Sequence, residues 1–237
     1  MTITKGKLLF EGRTKKIYET NHSSTLIMHF KDSILSPSAD GKKTIKNKGE
    51  HNNAISSLLF KYLESYHIHT HFIESLKGSE MVVKRLEMIS IEAIIWNFTV
   101  GSLSKRFGIE KGMLLANPIL EYYLKDSKRH NPMINPDHAS AFGYATPEEM
   151  KRIDSMARKI NAVLKSFFER RKLNLVNIKM EFGRVEDQIL LGDEISPDTC
   201  LFLDFSDEER PTRQFVFDDA NNMDKVYAAL RDRILSR

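Results

Sequence analysis

Hydrophobic residues change their spacing at Leu175, from helical to alternating, and that switch restricts the possible folds more than any other feature of the chain. Before it, residues 146–172 carry Met150, Ile153, Met156, Ile160, Leu164 and Phe167 at intervals that line one side of a helix. Thr146 stands at the capping position, Pro147 suits the first turn, and Glu149 completes a capping box. After it, LVNIKMEFGRV alternates, which puts Val176, Ile178, Met180 and Phe182 on one face and Asn177, Lys179 and Glu181 on the other. A short acidic turn and a second strand, QILLGDEIS, follow. A long helix running into a hairpin implies an α+β chain.

The remaining segments agree with that class. Residues 7–30 read as short antiparallel strands, KLLFEGRTKKIYET and STLIMHF, with turn signals at Asn21 and at Ser23 and Ser24. Ala54, Ile55, Leu58, Leu59, Tyr62, Leu63 and Tyr66 then follow helical spacing behind the capping candidates Asn52 and Asn53. THFIES and MVVKRLEM read as strands, and SIEAIIWNFTV as another that Gly101 breaks. Val226, Tyr227, Leu230 and Ile234 return to helical spacing. With no repeat and no low-complexity linker, the expected organisation is an N-terminal β lobe with one helix over residues 1–88, closely joined to a larger α+β lobe over residues 89–237.

The 237 residues carry 36 Lys and Arg against 32 Asp and Glu, a net charge of +4 with the signs interspersed. That balance suits an anionic ligand, and no segment clusters basic residues or interleaves them with aromatics as a nucleic-acid reader does. No nucleic-acid partner is expected. The only cysteine, Cys200, cannot form an intrachain disulfide, and a chain of this length builds its core without one. MTITKGKLLFEG lacks the apolar stretch of a signal peptide, and no segment reaches the roughly 20 apolar residues of a membrane span. A cytoplasmic protein without membrane contact is expected.

Three segments carry candidate chemistry. If Glu186 to Gln188 form the turn of the late hairpin, Glu181 lies directly across from Asp193 on one face. Opposed carboxylates repel unless a cation sits between them, and Mg²⁺ is the hard, oxygen-seeking candidate that commonly arrives with nucleotide phosphates. Two solvated carboxylates are the plainer alternative; Lys179 on the same face is then a neutralising partner rather than a phosphate ligand. In EGRTKKIY, Arg13 and Lys15 alternate beyond Gly12, so a nucleotide under that turn would meet backbone N–H groups and two cations; a solvated basic edge is the alternative. The spacing is neither that of a Walker A loop nor that of a dinucleotide site. In GSLSKRFG, Ser102 is placed to cap a short helix which, with Lys105 or Arg106, would hold a sugar phosphate, or simply to cap a turn. HIHTH at residues 67–71 lacks a defined fourth ligand and is expected to be a helix-to-strand connection. Cys200 has no activating neighbour in sequence, and Trp96 and the phenylalanines read as core.

The segments EGRTKKIY, FKDS, KGEHNN, THFIES, VKRLEM, GSLSKRFGIEKG, NPM, AFGYA, IKMEFG and LGDEISPDT, in this order, resemble the SAICAR synthetase family (phosphoribosylaminoimidazole succinocarboxamide synthases). No single piece is specific; their joint order, over most of the chain, is. The resemblance implies a two-lobed α+β fold with a kinase-like or ATP-grasp-like nucleotide cleft, a homodimer, and a carbon–nitrogen ligase of purine biosynthesis. Such an enzyme uses ATP and Mg²⁺ to join L-aspartate to carboxyaminoimidazole ribotide through an acyl phosphate. By resemblance, Gly12, Arg13 and Lys15 lie over the phosphates, Lys84 and Met88 beside the adenine, and Lys125 makes a further nucleotide contact. Glu181 and Asp193 correspond to acidic residues around nucleotide and metal, Lys179 to the lysine between strands, and Ser102 to a contact with the ribotide phosphate. Asn131 and Asn177 stand where the family carries aspartates and join the metal candidates. Trp96 and Leu201 stand where the family carries arginines, so Lys105, Arg106, Arg129, His130, Arg210 and Arg213 are the cations left to hold the ribotide. These departures leave open a divergent ATP-dependent ligase or kinase-like paralogue acting on another substrate. A nucleotide-binding module without turnover is also open, although the retained Glu181 and Asp193 argue against it.

Overall fold

The computed structural model describes residues 2–35, 42–204, 214–215 and 222–236. Strands β1 (Lys5–Glu11), β2 (Lys15–Thr20) and β3 (Thr25–Phe30) form successive antiparallel hairpins, with the second turn at the expected residues 21–24. A ribbon of β4 (Ser33–Leu35) and β5 (Lys42–Thr44) leads to helix α1 (Lys48–Glu64). Then β6 (Phe72–Ser75) and β7 (Glu80–Lys84) complete a first sheet of order β1-β2-β3-β7-β6.

The chain enters a second sheet through β8 (Glu87–Phe98) and continues through α2 (Gly101–Phe107), β9 (Leu114–Leu124), β10 (Met133–Ile134), α3 (Pro136–Ala141) and α4 (Pro147–Glu169). It returns through β11 (Leu173–Val185), β12 (Gln188–Gly192), β13 (Cys200–Asp204) and β14 (Gln214–Phe215), and α5 (Met223–Leu235) follows. The order is β10-β9-β8-β11-β13-β14, with β12 also on β11, and the strand pairs of both sheets are antiparallel.

Burial explains the layering. Ile91, Ala93 and Ile95 of β8 enter a large core shared with α1, α4 and α5, whereas Ile94, Trp96 and Phe98 enter a smaller cluster on the opposite face with Leu103 of α2. Helix α4 has the expected start: Thr146 accepts from the Glu149 amide, Glu149 accepts from the Thr146 amide, and Pro147 sits in the first turn. In β11 the alternation slips at a bulge between Leu175 and Asn177. Val176 therefore packs in the smaller cluster while Ile178, Met180 and Phe182 face the larger one.

Other expectations need correction. MVVKRLEM is not one strand: it breaks after Lys84, where Arg85 turns back to Ser23 and Ser24 and the chain crosses between sheets. Leu86 fits there because Gly183 has no side chain; a Cβ on Gly183 would lie 2.7 Å from that of Leu86. Asn52 and Asn53 do not cap α1, which starts earlier, behind Asn47. Both are buried and bond inward, Asn52 to Asp198 and Asn53 to the carbonyls of Gly78 and Glu80. The late hairpin turns on Glu186 and Asp187 rather than on three residues, because Val185 pairs with Gln188. Glu181 therefore lies across from Gly192, and Asp193 falls just beyond the strand with φ 57°.

Two features of this sheet position the site. Along one side β11 pairs first with β13 and then with β12, so residues 193–199 leave the sheet opposite Lys179 and Met180. The HIHTH segment is the expected helix-to-strand connection, and it also joins the two sheets. His71 donates its amide to Leu191 at 2.9 Å and accepts from the Lys84 amide at 2.6 Å, while Leu191 donates to His69 at 3.1 Å. His67 and His69 are exposed and His71 is buried, so the three rings do not converge.

Candidate active site

The mouth of residues 193–199 gathers charge. The Lys15 ammonium, on the first strand after the Gly12 turn, bonds to Asp193 and lies 2.8 Å from Glu194 Oε1. Lys125, at the end of β9, bonds to Glu181. Among these five side chains two ammonium groups face three carboxylates. Burial opposes the charge on Lys15, but Asp193 and Glu194 outweigh it and hold the ammonium well above the usual lysine range. Burial also works against Asp193, which Lys15 nonetheless holds below the ordinary aspartate value. Burial, then the charge on Asp193, pushes Glu181 up to about 7 against the pull of Lys125. Surplus negative charge among hard oxygen donors is the environment that a divalent cation such as Mg²⁺ fits.

Arg13 is exposed in the turn before β2. The Gly12 amide is spent on the Lys15 carbonyl at 2.8 Å, so it closes the turn instead of facing a ligand. Lys84 is exposed at the crossing between sheets, and Met88 approaches the backbone so closely that a Cβ on Gly192 would lie 3.2 Å from its Cε. Lys179 is exposed on the same face of β11 as Glu181. Asn177, four residues before Glu181, is about 13 Å from it along an extended strand, too far for both to ligate one ion. Asn131 lies in the turn before β10, with its amide bonded to the Asp126 carbonyl.

The opposite end of this face is neutral and apolar. Asn177 pairs with Trp96 on one side and Leu201 on the other, so the three positions form one row across β8, β11 and β13. Trp96 donates its indole N–H to Glu121 at 2.9 Å. Glu121, buried, also accepts from Arg106 at 2.6 Å and from the Tyr123 hydroxyl at 2.8 Å. Arg106 is thus already neutralised. Ser102 does not cap α2, because the helix starts at Gly101 behind Val100; Ser102 and Lys105 are exposed on it. Arg129 bonds to Asp126, and His130 follows it in a left-handed turn. Arg210 and Arg213 lie outside the described residues. Cys200 is buried, and burial pushes its thiol up to about 12, in keeping with an unreactive role.

Sequence reasoning missed Glu194, Asp198, Glu121 and Glu92, the last being the β8 partner of Glu181. The adjacency of Glu194 to Asp193 was the one local signal available; the others meet their partners only through the sheet.

The fold is α+β, with paired cations and carboxylates at the join of its two large sheets. The SAICAR synthetase family model matches residues 8–234, and the chain belongs to that family. It is 43% identical over 233 residues to the phosphoribosylaminoimidazole-succinocarboxamide synthase of Chlorobium phaeobacteroides, covering 98% of this chain and 99% of the relative. It is 39% identical over 230 residues to that of Desulfitobacterium hafniense, covering 97% of each. Among solved structures it is similar to the Ehrlichia chaffeensis synthase (TM-score 0.90, 34% identity, 96% of this chain and 98% of that one). A SAICAR synthetase in complex with ADP gives TM-score 0.88 at 35% identity, covering 96% of this chain and 97% of that one.

Proposed function

We propose that the chain is an ATP- and Mg²⁺-dependent ligase that joins L-aspartate to carboxyaminoimidazole ribotide to give SAICAR. The observation that carries the reading is the cluster of Lys15, Lys125, Glu181 and Asp193 at the join of the two sheets. A carboxylate is a poor electrophile. In the reaction proposed, a carboxylate oxygen of the ribotide attacks the terminal phosphorus of ATP and ADP departs. The aspartate amine then attacks the acyl carbon, phosphate leaves with the shared oxygen, and the amine gives up a proton. Such phosphoryl transfer depends on positioning and on neutralising charge.

Arg13 and Lys15 hold the polyphosphate in this reading, Lys125 adds a third cation, and Lys84 and Met88 line the base at the crossing between sheets. Glu181 and Asp193 would hold Mg²⁺, which when bound neutralises phosphate charge; Asn177 is reassigned to the substrate end. The expected assembly is a homodimer, and the setting is the cytoplasm, where nucleotide and aspartate are available. Conversion of ATP, aspartate and carboxylated ribotide to SAICAR by the purified chain tests the reading directly.

One observation favours a second reading, a divergent ligase acting on another carboxylate. The row of Trp96, Asn177 and Leu201, beside an Arg106 already bound by Glu121, offers a phosphate no described guanidinium that is not already paired. A folded protein that binds Mg·ADP and forms no SAICAR would remove the first reading and promote this one.

A further inference from the structure

Lys15 faces two carboxylates, and they differ in what stands behind them. Asp193 is 20% exposed at the mouth of the site, whereas the Glu194 side chain is 1% exposed. A second carboxylate buried against one ammonium is costly unless its remaining oxygen is also satisfied. It is. Glu194 Oε2 accepts from the Ser196 hydroxyl at 2.5 Å, and that hydroxyl accepts from the Asp198 amide at 3.0 Å. Asp198 in turn takes bonds from Lys48 at 2.5 Å, from Asn52 at 3.0 Å and from the Tyr227 hydroxyl at 2.6 Å. Lys48 is fully buried at the start of α1, and Tyr227 is buried on α5. A continuous polar chain thus runs from the Lys15 ammonium to the C-terminal helix.

We infer that Glu194 is a positioning residue, the permanent holder of Lys15, and that α5 supports the phosphate site through Tyr227, Asp198 and Ser196. The inference rests on the nucleotide reading given above. Asp193, at the mouth, would be the carboxylate free to hold Mg²⁺ in place of Lys15 when metal and nucleotide bind. Lys15 would then lose its fixed position at the step that needs it, were Glu194 not still attached. The two neighbouring carboxylates therefore divide the work: one exchanges partners and the other does not.

The division is testable with the full chain by calorimetric titration with ADP at several Mg²⁺ concentrations. Asp193→Asn should raise the Mg²⁺ concentration needed for half-maximal ADP binding. Glu194→Gln should weaken ADP binding about tenfold or more at saturating Mg²⁺ and leave the Mg²⁺ requirement unchanged. Ser196→Ala should follow Glu194→Gln in direction, Ser196→Thr should restore near-normal binding by returning the hydroxyl, and Tyr227→Phe should weaken binding about two- to threefold while the variant stays folded. If Glu194→Gln does not fold, the Ser196 pair and Tyr227→Phe decide. A shifted Mg²⁺ requirement in Glu194→Gln would make Glu194 a metal ligand and overturn the inference. Unchanged ADP affinity in the folded variants would overturn it as well. Failure of the unaltered protein to bind Mg·ADP would instead remove the nucleotide reading on which it stands.

Discussion

Two carboxylates and one arginine decide how the site behaves at the scale of single residues. Glu181→Gln and Asp193→Asn keep shape while removing charge, so turnover at limiting Mg²⁺ should fall by at least about tenfold, with the melting temperature little changed. Near-normal rates in both would return the hairpin to a solvated surface. Arg106 behaves differently from the free phosphate ligand that its sequence position suggests. Its guanidinium is the cationic partner of buried Glu121, so Arg106→Ala should cost about 1–3 kcal/mol of stability in a denaturant titration and leave ADP affinity unchanged. Pairing Arg106→Ala with Glu121→Gln should recover part of that loss. Lys15, Glu181 and Asp193 could be singled out in the sequence because their motifs are local and charged, and Lys125 only through the family resemblance. Glu121 and Asp198 could not, since each gains meaning only from residues far along the chain, such as Trp96 and Lys48.

Elements were legible wherever one face alone is buried. The stripe of α4 with its capping box and the spacing of α5 are visible as patterns because each packs a single side on the core, whereas the alternation of β11 holds only beyond its bulge, from Ile178 on. The start of α1 was not, because Asn52 and Asn53 are consumed by tertiary hydrogen bonds that imitate a capping signal. The hairpin register was also hidden: Glu186 takes a left-handed φ of 50°, which few non-glycine residues advertise, and a two-residue turn resulted. Glu149 supplies a test at this scale. The Arg184 hydrogen bond, with the Thr146 amide, holds its carboxyl below the usual range. The stabilisation is therefore present above the unfolded value of 4.5 and is lost as pH falls below it. Glu149→Gln should cost about 1 kcal/mol at neutral pH, a difference that shrinks in acid unfolding curves. Gly183→Ala should cost about 1–3 kcal/mol, since the new methyl meets Leu86 where the chain crosses between sheets.

The described residues form two large antiparallel sheets on a shared core, besides the small β4–β5 ribbon; His69–His71 tie the large sheets together, and ligand binding at the charge cluster should stabilise the fold globally. ADP with Mg²⁺ at about 100 times Kd should add roughly 2.7 kcal/mol to unfolding, read as a shift in thermal denaturation that chelation of the metal abolishes. The end of this face away from Glu181 carries its own reporter. Trp96 is the only tryptophan in the chain, and its indole is fixed to Glu121 on the face that leads to Glu181. Emission from the unlabelled protein therefore comes from a single known position, with none of the averaging that several indoles impose. Trp96 is buried, so the signal to look for is a change in its emission when a molecule disturbs the packing or the Glu121 bond at the row of Trp96, Asn177 and Leu201. The protein can thus be screened optically for molecules that bind near that row, independently of turnover.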